Sequence, residues 1–129
     1  MRSEADAPTR FANVDIDVHG ETGVAEFITA LGRKAIPMYR EPTWASFELN
    51  DTFSDAQSCL DALTAAIENL SPEARSLWDG FRRRTVNIGV RAGTRPHSTE
   101  FGISQTTMAA LAAIGCEITF TVYAPSAAD

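Results

Sequence analysis

The chain of 129 residues has little of what usually marks chemistry, a membrane or a nucleic-acid partner: two cysteines, two histidines, and 11 Lys+Arg against 17 Asp+Glu. Two cysteines are too few for a disulfide framework or a zinc-spaced set, so Cys59 and Cys116 are expected to be reduced, buried thiols. The net charge of −6 repels a phosphate backbone, and nucleic acid is not the expected partner. Apolar runs are short, and the first ten residues, MRSEADAPTR, place acids where a secretory leader needs an apolar stretch. A cytoplasmic location without a membrane span is the expectation. No phosphate loop, nucleophile elbow or HExxH pattern occurs, and the glycines are too scattered to cradle a phosphate.

What is present is the patterning of one folded domain, expected over residues 11–124 with flexible ends at 1–10 and 125–129. Hydrophobic residues make up 44% of the chain, enough for a core at this length without a metal or disulfide. Over residues 11–18, Ala12, Val14, Ile16 and Val18 alternate with Asn13, Asp15 and Asp17, the period of a half-buried strand. Val24, Phe27, Ile28 and Leu31 follow helical spacing up to Gly32, a helix stop. Residues 33–42, with Pro37 and Pro42, read as a loop, and Ala45, Phe47 and Leu49 then mark a second strand. Ser54 and Gln57 form the pattern of a capping box for a helix running to Leu70. Ser71 and Pro72 open a short helix carrying Ala74, Leu77 and Trp78 inward. Val86, Ile88 and Val90 mark a third strand. Ser104 caps a last helix with Met108, Leu111 and Ala112 inward, and Ile118, Phe120 and Val122 mark a fourth strand.

One apolar face per strand calls for an α+β two-layer sandwich: a four-stranded, mainly antiparallel sheet with helices on one face, in the order βαβ-αα-βαβ, a ferredoxin-like variant. The helical pair, going out and back, is expected to leave the second and third strands opposed in direction. The uncovered face then displays Asp15, Asp17, His19, Trp44, Glu48, Asn87, Arg91 and Tyr123.

Charge is unevenly placed. Residues 41–79 hold eight acids and one base, Arg75, for a net of −7, whereas residues 82–95 hold five arginines and no acid. An acidic region steers basic partners and also serves simply as a solvated face. Arg82, Arg83 and Arg84 follow a helix end, where cations are favourable without any ligand. The candidate partner-binding residues are Asp51, Asp55, Asp61 and Glu68 in the acidic helical region, and Trp44, Glu48 and Tyr123 on the sheet. Asp15, Asp17 and His19 share a strand face at a spacing that a metal bridges only with bent geometry, so no metal or other cofactor is expected. Cys59 and Cys116 lie away from His19 and His97 in this reading, which argues against thiolate catalysis.

The strand VDIDV, the helix end Leu31-Gly32, Pro37, the Trp44–Leu49 strand and the block FGISQTTMAALAAIGCEITFTVYA together resemble the bacterial family catalogued as domain of unknown function 4279. The likeness spans roughly residues 11–124 and implies a fold more than an activity. Small acidic bacterial domains without a catalytic set are similar, as a class, to immunity proteins that block toxins by direct binding. The expected function is therefore non-catalytic protein binding, with a basic bacterial toxin or effector as partner. The alternatives are a small-molecule-binding or minor enzymatic domain, recognisable by a deep pocket lined by Asp15, His19 or Arg91, and a structural homodimer.

Overall fold

The computed structural model describes residues 7–125. Their order is β1 (Arg10–His19), α1 (Val24–Leu31), a 3-10 turn (Gly32–Lys34), β2 (Ala35–Glu41), β3 (Trp44–Leu49), α2 (Ala56–Glu68), α3 (Pro72–Asp79), β4 (Arg83–Arg91), α4 (Gln105–Ala113) and β5 (Glu117–Tyr123). The fold is α+β, but the sheet has five strands, not four, in the order β2-β3-β1-β4-β5. It is mixed: β1 lies antiparallel to both β3 and β4, β2 is antiparallel to β3, and β5 runs parallel to β4.

The additional strand occupies the segment expected to be a loop. Pro37 and Pro42 suggested irregular chain, yet Pro37 lies on an edge strand, where proline is tolerated, and Pro42 falls in the turn to β3. A register shift between Pro37 and Tyr39 absorbs the irregularity. The directions need a second correction. β3 and β4 are both antiparallel to β1, so they run the same way with β1 between them, and α2 with the short α3 does not reverse the path as expected.

Val14, Ile16 and Val18 of β1, Ala45 and Phe47 of β3 and Val86, Ile88 and Val90 of β4 form a dry floor under the helices. Phe27 and Ile28 of α1, Leu60, Leu63 and Ile67 of α2, Trp78 of α3 and Leu111 of α4 pack on it in one cluster. Phe27 is its aromatic centre, with ring centroids 5.5 Å from Trp78 and 5.4 Å from Phe81, the latter edge-on.

Helix ends follow local chemistry. Gly32 closes α1 with a positive φ of 57°, and the Ser71 and Ser104 hydroxyls cap α3 and α4 as expected. The cap of α2 is Asp55, which accepts the Ser58 N–H at 2.7 Å, in place of Ser54, and the helix ends at Glu68. Gln57 is diverted from a capping box to the start of α4, where its Oε1 accepts the Ser104 N–H at 2.8 Å. In α4 the inward residues are Thr107 and Leu111. Met108 and Ala112 are exposed, because Thr107 turns to α2 and donates its hydroxyl to Asp61 at 2.6 Å.

At the far end, the ends of α3 and α4 are clasped together. The buried Trp78 indole donates to Ile114 O at 2.8 Å. The Arg84 guanidinium donates to Trp78 O, Phe81 O and Gly115 O at 2.9, 2.8 and 3.1 Å, which spends its hydrogen bonds on helix-end carbonyls. On the N-terminal side, Thr9 N–H donates to Arg95 O and Pro8 bridges Arg95, so ordered pairing begins before residue 11. Residues 1–6 and 126–129, within the ends expected to be flexible, lie outside the described residues.

Trp78→Phe is predicted to lower the unfolding free energy by about 2–4 kcal/mol, through lost volume and an orphaned Ile114 carbonyl. Urea denaturation measures it, and a loss under about 1 kcal/mol would show that the carbonyl finds another donor.

Candidate protein-binding face

No helix covers the second side of the sheet among the described residues, and strict alternation decides what stands there. β1 contributes Asn13, Asp15, Asp17 and His19, β3 contributes Trp44, Ser46 and Glu48, and β4 contributes Thr85, Asn87 and Arg91. Tyr39 enters from β2 and Tyr123 from β5.

Acids occupy the centre. The register that sets Ile16 opposite Phe47 places Asp15 beside Glu48, and the Asn13 amide donates to Asp15 Oδ1 at 3.3 Å and to Glu48 Oε2 at 3.1 Å. Partial burial, a hydrogen bond with Glu48 and the negative charges of Glu48 and Asp17 push the Asp15 carboxyl up to about 6. Asp15 thus keeps its proton well above the ordinary carboxylate range. Asn13 reaches this position because residue 89 has no side chain. A Cβ at Gly89 would collide with Asn13 Oδ1 and approach Tyr123 Cε2 to 3.3 Å.

Aromatic rings flank the acids. Tyr39 and Trp44 have centroids 4.3 Å apart, and His19 lies 6.0 Å from Trp44. The Tyr39 hydroxyl donates to Glu41 at 3.0 Å, and the negative charge raises its pKa. His19 Nδ1 is shielded from solvent without a hydrogen-bond partner among the described residues. Toward β5, Arg91 lies over the Tyr123 ring at 5.5 Å and the Thr121 hydroxyl donates to Asn87 at 2.8 Å.

The candidate residues separate into two groups. Trp44, Glu48 and Tyr123 share the open face. Asp51, Asp55, Asp61 and Glu68 are all exposed, and three of them also accept hydrogen bonds within the fold. Asp51 accepts the Thr52 N–H at 2.7 Å in the loop after β3. Asp55 is held as the α2 cap, and the Ser58 hydrogen bonds lower its pKa. Asp61 accepts from Gln57 and Thr107 between α2 and α4, and Glu68 is exposed at the end of α2. Tyr39, Asn13 and Gly89 complete the face; alternation puts Asn13 and Gly89 on it without showing their contact with the acids, and Tyr39 was missed. The loop reading of 33–42 hid Tyr39, whereas Asn13 in step with Asp15 and an interior strand glycine were signals for the other two.

A cleft of about 190 Å3 lies where β1 and β3 meet the start of α2, lined by Phe11, Asn13, Glu48, Phe53 and Cys59, among others, and not by Asp15, His19 or Arg91. It is smaller than ordinary ligand pockets of roughly 300 Å3 and more. Burial pushes both thiols, Cys59 and Cys116, up to about 12, the wrong direction for a nucleophile. Among the described residues no group of three or more His, Cys, Asp or Glu side chains is placed to hold a metal, and no helix is long and apolar enough to cross a membrane. No family model matches the chain, and no curated protein or solved structure matches it.

The acid pair has a signature in stability. The Asp15 carboxyl titrates higher in the folded chain than when unfolded, so its stabilising contribution is present below about 4 and is lost as pH rises through about 6. Asp15→Asn keeps an acceptor for Asn13 and supplies an N–H for Glu48. It is predicted to raise the melting temperature at pH 7.5 by about 2–5 °C and to leave it unchanged near pH 3.5. A gain of equal size at both pH values would place the effect outside the Asp15 proton.

Proposed function

We propose that the chain is a non-catalytic binding domain that docks a cationic protein on its open sheet face. The observation that supports this reading is the juxtaposition of Asp15, Asp17 and Glu48 with Trp44, Tyr39 and Tyr123 on one uncovered surface. Carboxylates raise the rate of encounter with a basic surface, and desolvated aromatics set the lifetime of the complex. In this reading the partner is a bacterial toxin or effector whose basic active-site cleft the face fills, and the chain is an immunity protein acting in the cytoplasm. The resemblance of its strand and helix blocks to a bacterial family of small domains without assigned catalytic residues favours inhibition by occupancy over chemistry in this reading.

The sheet is preferred to the acidic helix because Asp55 and Asp61 already serve the fold as a cap and an interhelical acceptor. Substitution there disturbs packing before it disturbs a partner.

Co-expression with the protein encoded by the neighbouring gene tests the function. The expected result is rescued growth and a complex that co-purifies. Trp44→Ala is then predicted to weaken that complex about 30-fold, mainly through faster dissociation, and Glu48→Gln to slow association at low salt. Glu68→Lys, on the other side of the molecule, is expected to leave the lifetime unchanged. A harmless neighbour, or a complex indifferent to Trp44, overturns the proposal.

A further inference from the structure

The two edges of the sheet are unlike. β2 is guarded against pairing: Pro37 lacks an N–H, the register breaks between Pro37 and Tyr39, and Arg40 and Glu41 put charge along the strand. β5 has none of these devices. Its seven residues, Glu117–Tyr123, are regular, free of proline, and charged only at Glu117. Ala92 N–H donates to Tyr123 O at 2.8 Å, so the odd-numbered residues of β5 turn their backbone groups to β4. The N–H and C=O groups of Ile118, Phe120 and Val122 therefore point out of the open edge.

The same three residues carry exposed apolar side chains. Ile118, Phe120 and Val122 continue the dry floor of Val86, Ile88 and Val90, their partners across the parallel ladder, but no helix covers them fully, and they are 37%, 51% and 64% exposed. Among the described residues, a bare edge and an exposed apolar stripe thus coincide on one short strand.

We propose that β5 pairs with β5 of a second copy, antiparallel about a two-fold axis at Phe120, making one continuous ten-stranded sheet. This register places Phe120 opposite Phe120 and Ile118 opposite Val122, so that all outward backbone groups find partners and the stripes of both copies merge. Glu117, whose carboxylate accepts from Arg83 of its own copy at 3.1 Å, comes opposite Tyr123 of the second copy, so the one charge on the strand enters the joint already paired. A seven-residue edge with these side chains closes over on the order of 600 Å2 per copy, the lower range for a specific interface and suited to a reversible micromolar dimer. The occupant is a second copy because the patch is self-complementary in hydrogen bonding and apolar pattern. The open faces proposed above for a cationic partner remain uncovered on both copies.

Sedimentation equilibrium of the full chain over about 5–200 μM tests the proposal, with a concentration-dependent dimer expected. Phe120→Lys, at a half-exposed position outside the core, is expected to be monomeric with an unchanged unfolding midpoint, whereas Met38→Lys on the guarded edge stays dimeric. Amide exchange on the unsubstituted chain reads the register without a variant: the N–H groups of Ile118, Phe120 and Val122 should gain protection of tenfold or more as concentration rises. A monomer throughout the range, a dimer that survives Phe120→Lys or is lost with Met38→Lys, or a dimer in which those three amides exchange freely overturns it.

Discussion

Along the antiparallel ladder of β1 and β4, every second residue of both strands is apolar and turned the same way. Val14, Ile16 and Val18 meet Val86, Ile88 and Val90 in a floor that only helices can cover, and α1, α2, α3 and α4 all cover that side. The remaining architecture is arranged around this one-sidedness. β3 and β5 extend the floor, the Phe27 cluster fills the space above it, and Trp78 and Arg84 fasten the two helix ends where the layer closes. The opposite side of the ladder is polar by the same alternation, which is why a surface rich in acids and rings stands there.

The parts of the fold legible in the sequence were those where one period decides the outcome. The alternation of β1, β3, β4 and β5, the α1 stop at Gly32 and the Ser71-Pro72 start of α3 all follow from residues that act locally. The edge strand β2 was not legible, because proline argues against a strand until its place at the edge is known. Nor was the direction of β4, since two helices in succession return the chain to either end of the sheet. Thr107 in the interior of α4 escaped for a related reason. Its burial depends on Asp61, 46 residues earlier, and no spacing within the helix encodes that partner.

The site was legible as a set of residues but not as a mechanism. Alternation alone brought Asp15, Glu48, Trp44 and Tyr123 to one face. Their coupling required the register, which sets Asp15 against Glu48 with Asn13 reaching both over Gly89. In the acidic helical region, a count of charges does not reveal what each carboxylate does in the fold. Asp55 and Asp61 are negative in composition and occupied in structure, one by a helix N-terminus and the other by Thr107 and Gln57.

The raised Asp15 carboxyl makes the charge of the open face responsive to what approaches it. With the Asp15 carboxyl at about 6, that residue is largely neutral in mildly acidic solution and largely ionised above neutrality. A basic group brought against the pair favours the doubly ionised form, so docking of the cationic partner proposed above and loss of that proton become a single equilibrium. Acidification then works against the complex by refilling the same proton site, and the face acts as a small buffer whose capacity its partner draws upon.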